Sequence, residues 1–116
     1  MKKYIEQLEK DFSPIQSGFK EEERRALQDY QNYKEDEVEQ LAHLAYQSEV
    51  YQVRMYGVFL FGYLSEKETV LAFMREGVSK DDNWRVQEVL AKAFDEYCKK
   101  VGYEKALPVI DEWLAH

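Results

Sequence analysis

Trp84 and Glu88 stand four residues apart in a segment whose apolar residues recur with helical period. At 100° per residue, Val86, Val89, Leu90, Ala93 and Tyr97 fall on one stripe, the side that must face a core. Trp84, Glu88, Ala91 and Asp95 fall opposite, with Lys92 and Lys99 beside them. A large aromatic one turn from a carboxylate on an outward face suits a definite chemistry. The ring can press against a sugar or base, and the carboxylate can stabilise a developing positive charge or position a water. The same spacing also suits a Trp84 packed against a neighbouring repeat and a Glu88 that is merely solvated.

Other reactive residue types form no comparable pattern. His43 and His116 are far apart and lack Cys or carboxylate spacing, so no metal site is expected. Cys98 sits near the core stripe and reads as a small buried residue rather than a nucleophile. There is no phosphate loop, Gly-rich nucleotide motif or Ser/His/Asp arrangement, and no cofactor is expected.

The elements that must position Trp84 and Glu88 follow from periodicity and breakers. Ile5, Leu8 and Phe12 mark a helix over residues 2–12, ended by Ser13-Pro14 and the turn Ser17-Gly18. A charged helix is expected from about Phe19 to Tyr30, with Leu27 and Tyr30 inward. Val38, Leu41, Ala42 and Ala45 predict an amphipathic helix over 36–47. The next helix runs from about Tyr51 to Leu64. Ser65 and Glu68 match a capping box for a helix with Val70, Phe73 and Met74 inward. Asp81-Asp82-Asn83 offers caps for a helix from Trp84 to about Val101, which Gly102 stops. A last helix is expected from about Glu104 to Leu114, carrying Leu107, Ile110 and Leu114.

The pattern is quasi-repetitive. Aligning Val53 with Val86, 33 residues on, sets Tyr51 against Trp84, Phe61 against Phe94 and Leu64 against Tyr97. Helical pairs at this period predict an α-solenoid. The fold expected is therefore all-α, a superhelix of six to seven HEAT-like helices forming one domain over residues 1–116. The outward face of the Tyr51 helix shows Tyr51, Met55, Val58 and Phe59. It is too apolar for open water, so the N-terminal helices are expected to cover it. The last helix reads as the first of another pair. That predicts either a truncated solenoid or self-association through the C-terminal helix.

Composition narrows the function. No run of about 18 apolar residues occurs, and the N-terminus lacks the apolar segment of a signal peptide. With a single cysteine, this points to the cytoplasm and away from a membrane. The net charge is -7. Residues 1–49 hold seven Lys/Arg and twelve Asp/Glu; residues 50–116 hold nine and eleven. Because nucleic-acid affinity relies on cations replacing counterions, any such surface must be local and lie in the second half.

The stretches Asp82-Asn83-Trp84-Arg85-Val86-Gln87-Glu88, Ala91-Lys92-Ala93-Phe94-Asp95 and Gly102-Tyr103-Glu104-Lys105-Ala106-Leu107-Pro108, with Glu112-Trp113-Leu114, resemble the bacterial DNA alkylation repair family. This is the HEAT-like group of AlkC- and AlkD-type alkylpurine glycosylases. The resemblance covers residues 50–114, is diffuse before that, and matches the N-terminal portion of the family fold. It implies a curved stack of helical pairs holding duplex DNA in its concave groove and releasing cationic alkylated bases. By its motif, Trp84 would contact the damaged nucleotide. Glu88, in place of a carboxylate that is often aspartate, would stabilise the sugar cation and guide water. Lys80, Asn83, Arg85, Lys92 and Lys99 are the expected DNA contacts. The family's second half and its arginine-rich segment have no counterpart here. The alternative is a non-catalytic helical-repeat module for binding or dimerisation.

Overall fold

The structure, a computed structural model, describes the backbone of residues 1–114 and side chains as far as residue 112. The expected contacts of Leu114, and the terminal His116, lie outside the described residues. The described residues contain seven α-helices: α1 (Lys2–Phe12), α2 (Lys20–Asn32), α3 (Glu35–Tyr46), α4 (Tyr51–Tyr63), α5 (Glu68–Glu76), α6 (Trp84–Val101) and α7 (Tyr103–Leu114). A 3-10 turn, Val78–Lys80, links α5 to α6. No described helix is long and apolar enough to cross a membrane.

Helices α3 and α4 pack as a HEAT-like pair and α6 packs along α4, with α5 meeting α4; α4 and α6 begin 33 residues apart, as the alignment predicts. Helix α4 is mostly apolar, apart from Gln52 and Arg54 in its first turn, and is buried by contacts with α1, α2, α3, α5 and α6. The N-terminal helices do cover its outward face: Met55, Val58 and Phe59 are buried, and the Phe59 ring packs 5.7 Å from that of Phe19. Gly62 permits the close crossing of α4 and α6, because a Cβ there would lie 2.9 Å from Ala93 Cβ. Two turns use glycine for its positive φ, Gly18 at 68° and Gly102 at 86°.

Two local expectations are corrected. Leu27 is 43% exposed, not inward. Helix α2 instead buries Glu22, Ala26 and Asp29, with Tyr30 half-buried against Tyr63. The reason is a polar network. Asp29 accepts from the Tyr4 hydroxyl at 2.5 Å and the Tyr56 hydroxyl at 2.6 Å, pinning α1, α2 and α4 together. The capping box at Ser65 does not form. The Ser65 hydroxyl donates back to the Gly62 carbonyl at 2.7 Å, and α5 starts after Lys67. Its Val70 and Met74 are buried as expected, and Phe73 is partly so. In α7, Leu107 is exposed and Ile110 half-buried. An open groove of ≈ 520 Å³ between α6 and α7 is lined in part by Leu90, Cys98 and Ile110.

Candidate nucleic-acid interface

The start of α6 is fixed from three directions. Asn83 is its cap, accepting from the Arg85 and Val86 N–H groups at 2.9 and 3.4 Å. Asp81 accepts from Arg54 Nε at 2.9 Å, the Tyr46 hydroxyl at 2.9 Å and the Asn83 N–H at 2.9 Å. Gln87 Nε2 donates to the carbonyls of Val78, Ser79 and Asp81 at 3.1, 3.0 and 2.7 Å. A helix held in this way delivers its first residue, Trp84, to a defined place.

Burial pushes the Asp81 carboxyl up, but Arg54, the Asn83 N–H and the Tyr46 hydroxyl together hold it below its ordinary value. A carboxylate depressed in the folded state adds stability above its unfolded value, about 3.9. That contribution disappears as pH falls through the folded value. Denaturant midpoints are therefore expected to drop between pH 6 and pH 3 by more in the wild type than in Asp81→Asn. Equal drops would show that the cluster has no such role.

The α6 wheel is reproduced. Val86, Val89, Leu90, Ala93 and Tyr97 are buried, while Trp84, Glu88, Ala91, Lys92, Asp95 and Lys99 are exposed. Trp84 is 66% exposed, which excludes packing against a described neighbouring repeat as its role. Glu88 makes no ion pair or hydrogen bond through its carboxylate among the described residues. Cys98 is buried, and burial pushes its thiol up, away from a reactive thiolate.

The five expected DNA contacts have different situations. Asn83 spends its side-chain oxygen on the cap. The Arg85 guanidinium lies 4.9 Å from the Trp84 ring centre and 5.8 Å from that of Tyr51. Lys92 rests on the Phe19 ring at 4.9 Å, and Lys99 pairs with Asp95 at 3.3 Å. Lys80 is exposed on the 3-10 turn. Of these four cations, Arg85, Lys92 and Lys99 already have intramolecular partners.

Two contributors to this face were not singled out from the sequence as site residues. Tyr51 starts α4 as Trp84 starts α6, so the 33-residue alignment carried its signal; it is half-buried under Arg85. Phe19 lies at the start of α2, whose polar inward stripe hides the period from a hydrophobicity reading, and Lys92 reaches it across the fold.

No family model matches the chain, and no curated protein does. Solved structures do. AlkD2 from Streptococcus mutans is 68% identical, with a TM-score of 0.97 over 99% of this chain and 56% of that chain. A structure of smu.31 from Streptococcus mutans UA159 is 64% identical, with a TM-score of 0.93 over 99% of this chain and 55% of that chain. The chain thus spans little more than half the length of either relative.

Proposed function

We infer function from membership: the chain belongs to the AlkD type of HEAT-like helical-repeat proteins, a DNA repair family. On that premise it acts in DNA alkylation repair. The outward face of α6 meets duplex DNA carrying cationic alkylated purines. The observation that carries this reading is Trp84, two-thirds exposed one turn ahead of an exposed Glu88. A tryptophan ring costs free energy when left in water, and it attracts planar cations when covered. Trp84 stacks on the alkylated base or its sugar. Glu88 opposes the positive charge that grows on the sugar as the base leaves, and it orients the attacking water. Lys80, Lys92 and Lys99 approach phosphates, Asn83 sets the helix start, and Arg85 holds charge beside Trp84.

Electrostatics bounds what this face achieves alone. A solvent-exposed carboxylate acts through a high effective dielectric, so Glu88 gains force only when bound DNA or a second protein wall excludes water. The net charge of -7 opposes DNA, and few cations face it, so binding is weak with a shallow salt dependence. Fluorescence anisotropy with duplex containing 7-methylguanine is expected to show binding at low salt, weakened about tenfold by Trp84→Ala. Binding indifferent to Trp84 would remove this face from the account.

A second reading is favoured by the exposed Leu107 and the open groove beside α7: a non-catalytic module that binds or self-associates there. Sedimentation of the wild type against Leu107→Lys distinguishes it. A dimer lost in the variant supports that reading, and a monomer at all concentrations opposes it.

A further inference from the structure

The net charge is -7, and Arg24, Arg25, Arg54, Lys67, Arg75 and Lys99 each hold a carboxylate at 3.4 Å or less. Three cations of α6 are held differently. Arg85 lies 4.9 Å from the Trp84 ring centre and 5.8 Å from that of Tyr51. Lys92 lies 4.9 Å from the Phe19 ring and Lys100 5.9 Å from the Tyr30 ring. None of the three has an ion pair among the described residues. For the two lysines a carboxylate is close in sequence. Glu96 stands four residues after Lys92 and four before Lys100, the spacing at which ion pairs form along a helix. Both lysines lie instead over rings at opposite ends of α2.

We propose that Arg85, Lys92 and Lys100 form a preset track for the sugar-phosphate backbone of a DNA strand lying along α6. This rests on the reading that the outward side of α6 meets DNA, and it adds Lys100 and the ring seats to that reading. The three cations follow one another at seven and eight residues, about 10 and 12 Å along the helix axis, and fall within about 80° of its circumference. They therefore make one row about 22 Å long, a length that spans several phosphates of a strand. A cation paired with a carboxylate has spent its charge and its N–H donors. A cation over a ring is held by the ring face and keeps donors for an anion on its open side. The ring also restrains the side chain, so ordering it on a phosphate costs less than ordering a lysine loose in water. Backbone contacts carry no base information. The track thus adds affinity equally for alkylated and ordinary DNA, and leaves discrimination to the Trp84 end.

Fluorescence anisotropy of the full chain across a range of salt concentrations, with duplex DNA that carries or lacks 7-methylguanine, tests this. The slope of log affinity against log salt is expected to be about -3 for the wild type, one unit for each cation of the track. Lys100→Met is expected to remove about one unit of slope and to weaken both duplexes equally. Lys100 is exposed, so the variant keeps the fold. Lys99→Met is the contrast on the neighbouring residue. Asp95 already balances that charge, so the slope is expected to change by about half as much or less. A slope left unchanged by Lys100→Met, or reduced as much by Lys99→Met, would overturn the track while Trp84-dependent binding kept the reading beneath it. So would a Lys100→Met loss confined to the methylated duplex. If the wild type binds neither duplex at low salt, the DNA reading of this side of α6 fails, and the track with it.

Discussion

Glu88→Gln is expected to lower release of 7-methylguanine from methylated duplex DNA by about a hundredfold or more, the usual cost of removing an electrostatic group aimed at a developing charge. The substitution keeps shape and hydrogen-bonding reach but removes the negative charge. Glu88 sits on the exposed side of α6 and makes no contact that holds the helix, so melting and circular dichroism should not change. Loss of release with an unchanged fold therefore isolates the charge. Equal release from wild type and variant would end the catalytic role of Glu88. Absence of release from both, with Trp84-dependent DNA binding retained, would make the chain a binding module that uses the same face.

Asp29→Ala is expected to destabilise the fold by about 3–4 kcal/mol, the largest effect foreseen for a single side chain. Asp29 accepts from Tyr4 and Tyr56, and Tyr56 is wholly buried. Removing the carboxylate leaves the Tyr56 hydroxyl without its acceptor and unties α1 and α2 from α4. Burial, followed by the hydrogen bond to Asp29, pushes the Tyr56 hydroxyl far above its ordinary value, so it remains a donor at any working pH. Tyr56→Phe removes one donor and no acceptor, and should cost only about 1–2 kcal/mol. Urea unfolding of both variants checks the order. A loss under 1 kcal/mol for Asp29→Ala would mean that water replaces the carboxylate without cost.

The contrast between α6 and α2 explains how much was legible in the sequence. Helix α6 follows simple hydrophobic periodicity: its stripe from Val86 to Tyr97 is buried, and Trp84 and Glu88 lie outward. Its cap and its stop are local signals, Asn83 and Gly102, and both act as read. Helix α2 obeys a different rule. Its inward residues include Glu22 and Asp29, which are buried through long-range partners or as unpartnered groups. Apolarity led instead to Leu27, which faces solvent. The Ser65 error is of the same kind, since a hydroxyl can serve the preceding helix end as well as the following start, and here it served Gly62. The outward placement of Trp84 and Glu88 on one side of α6 was legible. Of its surroundings, Tyr51 was legible through the 33-residue alignment, but Phe19, 65 residues before Trp84, was not, because no local period links it to α6.

The most direct test of the central claim, that the outward face of α6 is where DNA binds, is a nuclear magnetic resonance titration of the isotopically labelled chain. Duplex DNA containing a single 7-methylguanine is added at low salt, and shifts are mapped on the backbone and on the Trp84 indole N–H. The expected result is the largest shifts at Trp84, Arg85, Glu88 and Lys92, with lesser shifts at Tyr51, and their loss in Trp84→Ala. Shifts confined to α3, α5 or the α7 groove, with the Trp84 indole unmoved, would contradict the assignment of this face.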